Sequence, residues 1–357
     1  MGEWRAPIQI VDVYRDPAGR WTIRPYRPGD EERILDLFSR VFRVERSIEH
    51  WRWKFRDNPA GQYHMRLAET PSGELVGQYA GLPVRMAWGE KTLVFDQVID
   101  VMLDPVTRLG LKRTGLFFAL ANQGIGGYAG SDKVSGGYGF PTPEALRIGQ
   151  RAAGYTPMHP VVGLVLDLRQ DGQNHSKVLA GGDRSRLYSR FYRVREIERF
   201  GQEVDRLWEQ ARQELPVAVV RDARYLNWRY AACPDVRYTM LEAFHRLTGA
   251  LAGVAILRMG VRGEPVAALV DWLVPGRAIG AGVALLARCA QLAAQAGMRQ
   301  MQAWFPGYTR PFRLLQRRGF RPEETMYEFV ALSMSPEVTL DWTKECWYYT
   351  MGDSDIY

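Results

Sequence analysis

The sequence predicts an α/β chain: two similar domains in tandem, each a mixed, mostly antiparallel sheet flanked by helices. Three observations carry this. The chain has 357 residues, 46% hydrophobic and 24% charged, which is globular composition at a length that suits about two domains. Short apolar runs of strand character alternate with amphipathic runs of helical period. A tryptophan-centred landmark also occurs twice. WKFRDNPAGQY begins at Trp53 and WRYAACPDVRY at Trp228, each with Pro six residues on and Tyr four residues after that.

The elements of each copy follow in order. In the first, WTIRP reads as a strand, and Asp30 stands as N-cap of a helix carrying Ile34, Leu35, Leu37, Phe38, Val41 and Phe42 on one face. In the second, YRVREI reads as a strand before a helix with Val204, Leu207 and Trp208. After each tryptophan landmark comes a hairpin signal, PSGE in the first copy and LTGA in the second. A central strand follows: DQVIDVMLDP, answered by EPVAALVDWLVP, with Asp100 and Asp271 in step. Each copy closes with a helix running into Gly-aromatic, Gly154-Tyr155 and Gly319-Phe320, where glycine suits the left-handed turn that ends a helix. A last strand-like run, VVGLVLDL or TMYEFVAL, completes the copy. The polar stretch from Arg169 to Arg186 reads as the linker. The expected division is therefore a first domain over 1–168, a linker over 169–186 and a second domain over 187–357.

Charge and cysteine usage narrow the function classes. A net charge of +7 suits an anionic ligand. The arginines are scattered singly, without the clustered runs that bind a nucleic-acid backbone, so no nucleic-acid partner is expected. Three distant cysteines, Cys233, Cys289 and Cys346, form no CxxC; no disulfide framework or zinc site is expected, and a reducing cytoplasm fits. The N-terminus has no signal-peptide apolar core. No apolar run near ~18 residues is seen, so no membrane span is expected.

The element order, with IRPYRPGDEERILDLF, DVMLDPVTR and RRGF as its carrying stretches, resembles the GCN5-related N-acetyltransferase (GNAT) superfamily. The resemblance covers nearly the whole chain, as a tandem pair. It implies a central strand splayed from its neighbour, with acetyl-CoA or another acyl-CoA in the gap and the acyl group passing to an amine. It also implies pyrophosphate held where the central strand turns into a helix, by a Gln/Arg-x-x-Gly-x-Gly/Ala motif. The physical basis is general. A helix start offers unpaired N–H groups and partial positive charge, glycine lets the backbone approach, and arginine adds charged hydrogen bonds.

Two turns compete for that role. In the second copy, Arg277, Gly280 and Gly282 match the motif letter for letter, with close helix–sheet packing as the alternative use of the small residues. In the first copy the match is looser, but Arg108, Lys112 and Arg113 crowd one turn before Thr114 and Gly115. The strand backbone at Val101, Met102 and Leu103 would line the pantetheine arm there. A glycine-rich stretch from Gly124 to Pro143 follows this turn and has no equal in the second copy, which favours the first as the acyl-CoA site.

For acid–base chemistry the family often places a tyrosine four residues before Gly-aromatic; Gln150 and Leu315 stand there instead. Tyr138 is the substitute candidate acid. Asp100 and Asp96 are candidate bases, placed by strand alternation on one face, with pairing to nearby arginines as the alternative role for either. In some tandem relatives the chain end enters the active site as base, which makes Tyr357 a candidate. The five histidines show no recognisable pairing and no metal is expected. Three readings stay open. The first is an N-acyltransferase, an N-acetyltransferase by preference, acting on a small-molecule amine such as an amino sugar or amino acid derivative. The second is a catalytically decayed tandem pair serving in binding or assembly. The third is a relative that uses its basic surface for RNA or peptide.

Overall fold

A computed structural model describes residues 10–61, 64–107, 115–130, 134–168 and 190–357. The chain divides into two compact units. Unit 1 comprises Met1–Arg85, Leu93–His159 and Met326–Lys344; unit 2 comprises Met86–Thr92, Pro160–Thr325 and Glu345–Tyr357. The expected linker lies outside the described residues.

The first half of the chain gives β1 (Tyr14–Arg15), β2 (Thr22–Pro25), α1 (Glu31–Phe42), α2 (Ile48–Trp51), β3 (His64–Glu69), β4 (Leu75–Trp88) and β5 (Lys91–Leu103). It continues with α3 (Leu116–Tyr128), β6 (Gly136–Gly139), α4 (Pro143–Ala152) and β7 (Thr156–Asp167). The second half gives β8 (Tyr192–Ile197), α5 (Glu203–Ala211), β9 (Val217–Val219), α6 (Ala223–Leu226), β10 (Tyr238–His245), β11 (Leu251–Met259) and β12 (Val266–Leu273). It ends with α7 (Ile279–Gln295), β13 (Gln300–Trp304), α8 (Arg310–Gln316) and β14 (Arg321–Ser333). This contains the element order read from the sequence in both copies, with β1, β9 and the one-turn helices α2 and α6 in addition.

The repeat is also geometric. Trp53 and Trp228 lie in matching π-helical turns, Arg52–Arg56 and Asn227–Ala231, each continuing a one-turn helix. Seven residues before each tryptophan stands an arginine, and each pairs with the aspartate of its central strand: Arg46 with Asp100 at 2.5 Å, Arg221 with Asp271 at 2.8 Å. Gly73 and Gly249 turn the hairpins at φ 84° and 68°, and Gly154 and Gly319 end their helices at φ 71° and 90°, the positive values that glycine tolerates.

In unit 1 the strands run in the order β1-β2-β3-β4-β5-β6-β14. β2–β3 and β3–β4 are antiparallel, while β5–β6 is parallel, with Phe95, Asp96 and Gln97 opposite Gly136, Gly137 and Tyr138. The outer strand comes from the far end of the chain: Val330–Ser333 of β14 pair with Gly139–Gly136. In unit 2 the order is β7-β13-β12-β11-β10-β8. Here Gly163–Asp167 of β7 pair antiparallel with β13, and β12–β13 is the parallel pair. Each unit is thus completed by a strand from the other half of the sequence.

Helix faces follow the apolar pattern with one local difference. In α1, Ile34, Leu37 and Phe38 are buried, whereas Phe42 is 44% exposed. Asp30 precedes the helix but does not cap it; its carboxylate instead accepts from Arg24 at 2.7 and 2.8 Å and from the Arg27 N–H. A buried arginine outcompetes the helix N–H groups because a charged bond is the stronger one. Contrary to the expectation of no such run, the stretch Gly276–Gln295 is long and apolar enough to cross a membrane on length and composition alone. Its buried positions, among them Ala281, Val283, Leu285, Leu286, Cys289, Ala290 and Ala293, make it a core helix of unit 2.

Candidate functional site

In unit 1 two missing side chains make room for a polar cluster. A Cβ on Gly81 of β4 would collide with the carboxylate of Asp96, and a Cβ on Gly124 of α3 would collide with the Tyr79 ring. Without them, Asp96 and Tyr79 rise from the sheet beneath the C-terminal half of α3. The result is a narrow cleft lined by His64, Tyr79, Asp96, Val98, Tyr128 and Leu332, among others.

The cluster is centred on a dyad. His64, first residue of β3, sets Nδ1 at 2.8 and 3.0 Å from the two oxygens of Asp96 on β5. The strand registers bring them together: His64 lies opposite Gly81, and Asp96 fills the space that Gly81 leaves. The imidazole stacks on Tyr128 with ring centroids 4.5 Å apart and planes at 27°. Tyr128 is itself fixed, its hydroxyl donating to the Met65 carbonyl at 3.1 Å. A carboxylate bonded at Nδ1 sets the ring's orientation and tautomer and leaves Nε2 to carry the exchangeable site. Among the described residues, none hydrogen-bonds to Nε2 of His64.

Electrostatics fit that geometry. Asp96 is 6% exposed, and His64 is its side-chain partner among the described residues. Burial raises its carboxyl above the ordinary value, partly offset by the bond to His64 and its charge. Burial likewise pushes the Tyr79 phenol well above its ordinary value, so it stays protonated. The arrangement offers a proton acceptor backed by a buried acid, beside a protonated phenol.

Of the residues singled out from the sequence, Asp96 belongs to the dyad and the others fall elsewhere. Asp100 does not share a face with Asp96: its left-handed φ of 46° breaks the strand alternation. Its carboxylate instead meets Arg46 at 2.5 Å and the Lys54 ammonium at 3.2 Å. Burial alone would raise it, but the two cations hold it well below the usual carboxylate range, where it has little affinity for an amine's proton. Tyr138 packs its ring with Phe140 and Phe329, at 6.3 and 6.5 Å, and lies one residue past the Asp96 position in the strand register. Tyr357 is in unit 2, its ring edge-on to Trp304 at 5.1 Å and its carbonyl accepting from Arg229 at 2.6 Å. Gln150 is exposed on α4, and Leu315 is buried in α8.

At the end of β5, Val101 and Leu103 pack toward α3, while Met102 is buried. Arg108, Lys112, Arg113 and Thr114 lie outside the described residues. Gly115 begins α3 as an extended N-cap without a side-chain cap bond. In unit 2, Arg277 is exposed. A Cβ on Gly282 would meet the Trp272 ring at 3.1 Å and Leu314 at 3.4 Å, so this glycine serves close packing. Gly280 is buried in the first turn of α7. The N–H of Gly276, at the same turn, is taken by the Glu214 carboxylate at 3.1 Å. No group of three metal-ligating side chains converges among the described residues.

Sequence reasoning missed His64, because its partner is remote in sequence and on another strand. A signal existed in the repeat. Thr239 stands where His64 does relative to the repeated tryptophan, and Ala267 stands four residues before Asp271 as Asp96 does before Asp100. The dyad is thus one of the polar differences between the two copies.

The family described as Acetyltransferase (GNAT) domain matches residues 22–146. No curated protein sequence matches the chain. Among solved structures, a probable N-acyltransferase from Enterococcus faecalis V583 superposes with a TM-score of 0.63 at 12% identity, over 88% of this chain and 72% of that one. A GCN5-related N-acetyltransferase from Anabaena variabilis gives 0.64 at 13% identity, over 88% and 73%. A tandem GNAT protein from the clavulanic acid biosynthesis pathway gives 0.55 at 16%, over 88% and 99%. At these identities the likeness is one of fold.

Proposed function

We propose that this chain, which carries a GNAT acetyltransferase domain at residues 22–146 within a tandem GNAT fold, is an acyl-CoA-dependent N-acyltransferase whose working half is residues 1–168. The donor in this reading is acetyl-CoA, and the acceptor is a primary amine on a small molecule such as an amino sugar or amino acid derivative. The observation that carries it is the His64–Asp96 dyad, in which no described residue hydrogen-bonds to Nε2.

Acetyl-CoA is the cosubstrate and supplies an activated thioester. Support for its seat in unit 1 comes from the uncapped first turn of α3 at Gly115 and from the basic residues Arg108, Lys112 and Arg113 before it. In the ternary complex the neutral amine attacks the thioester carbonyl. A C–N bond forms, the C–S bond breaks, and the sulfur leaves as thiolate. Nε2 of His64 takes the proton that the nitrogen sheds, and Asp96 stabilises the imidazolium. The thiolate takes its proton from solvent as it leaves. Positioning two bound substrates supplies the larger share of the rate. The reading also places the enzyme in the cytoplasm, in keeping with its three cysteines, distant in sequence and without a CxxC.

The test is thiol release from acetyl-CoA against a panel of small amines. His64→Ala should lower kcat by about 10²- to 10⁴-fold while acetyl-CoA binding stays within threefold. Full turnover by His64→Ala would remove the dyad from the mechanism.

A further inference from the structure

We infer that the cleft of unit 2 is a seat for the chain's own C-terminal segment, and that this unit takes no acyl-CoA. The second clause rests on the acyl-CoA reading above; the first stands on geometry alone.

The parallel pair β12–β13 runs in register from Val266 opposite Gln300 to Leu269 opposite Ala303 and goes no further. The crevice beyond the carboxyl ends of parallel strands is where open α/β sheets take ligands, and backbone acceptors left there need a partner. Here the chain supplies it. The Tyr348 hydroxyl donates to the Trp272 carbonyl at 2.6 Å, and Tyr348 N–H to Val217 at 2.7 Å. Gly352 lies so close to the Tyr230 hydroxyl and the Val270 carbonyl that no Cβ fits. Further along, Tyr357 meets Trp304. Trp347, Tyr349, Thr350 and Met351 are at most 1% exposed.

Two buried arginines lock the segment. Arg221 bridges Asp271 of β12 at 2.8 Å and Asp353 of the segment at 2.5 Å. Arg229 donates to the carbonyls of Gly352, Ser354 and Tyr357. A ligand entering this crevice would strip Arg221 of one of its two carboxylates, leaving buried charge unmatched. A second, independent observation concerns the turn before α7. There Glu214 accepts from the Gly276 N–H and is held by Arg310 at 2.7 Å. A carboxylate held beside the start of α7 would repel a phosphate received there.

Two measurements on the intact protein decide this. Calorimetric titration with acetyl-CoA should give one site per chain, with affinity changed less than twofold by Arg277→Glu. Hydrogen exchange read by mass spectrometry should show residues 347–357 protected, and equally so at saturating acetyl-CoA. Gly352→Leu should abolish that protection while the exchange of β10–β12 stays as before. Two sites per chain would overturn the inference. So would a tenfold loss with Arg277→Glu, or a segment that acetyl-CoA deprotects. If no acetyl-CoA binds, the N-acyltransferase reading fails, and segment exchange alone judges the seat: rapid exchange of 347–357 would then refute it.

Discussion

Two aspartates four residues apart show how surroundings set the role of one side chain. Asp96 has one hydrogen-bonding side-chain partner among the described residues, His64, and burial raises its carboxyl. Asp100 has two cations, and they hold it low against the same burial. Asp96→Asn should therefore lower kcat by about tenfold or more with little change in KM, since the imidazolium loses its stabilising charge but the cleft keeps its shape. A matching rise in KM would assign Asp96 to binding instead. Asp100→Asn should act on stability: it removes the buried carboxylate that faces Arg46 and Lys54, costing about 3 kcal/mol, read as a fall in the urea midpoint. The sign of the pH effect follows. Asp100 has a folded pKa below its unfolded value, so its contribution is present above the unfolded pKa, about 3.9, and fades as pH falls below that. Wild type should lose stability on acidification, and Asp100→Asn should lose less. Asp96 runs the other way, its contribution fading as pH rises through its raised folded pKa.

At the scale of elements, the central strands illustrate the reach of sequence. Their periodicity, the hairpin signals and the helix-ending glycines were readable because each depends on residues within a turn or two. The His64–Asp96 contact was not, because strand register and the space above Gly81 are set by pairing across the sheet. The same applies to Gly282. By letters it belongs to a phosphate-binding motif, but the Trp272 ring and Leu314 close over it. A Gly282→Leu substitution should cost about 1–3 kcal/mol by overpacking and should leave acetyl-CoA affinity unchanged; weakened acetyl-CoA binding in a stably folded variant would contradict the packing role. Asp30 offers a smaller case, since its sequence context predicts a cap but the nearby Arg24 takes its carboxylate.

For the whole molecule, the composition of the units matters most. Unit 1 includes Val330–Ser333 against β6, and unit 2 includes Gly163–Asp167 against β13. A fragment of residues 1–168 should therefore leave β6 with a bare, apolar-flanked edge and aggregate, while coexpression with residues 187–357 should restore soluble protein. Solubility and cooperative unfolding of the lone fragment would show that β14 is dispensable to it. The sequence by itself determined the fold class, the element order and the internal repeat, because hydrophobic period, turn glycines and landmark spacing are local properties of the chain. Only the tertiary structure decided which strand completes each unit, which aspartate meets the histidine and what fills the second crevice. Those outcomes depend on side chains remote in sequence competing for the same buried space and charge, and that competition is settled only when the sheet is assembled.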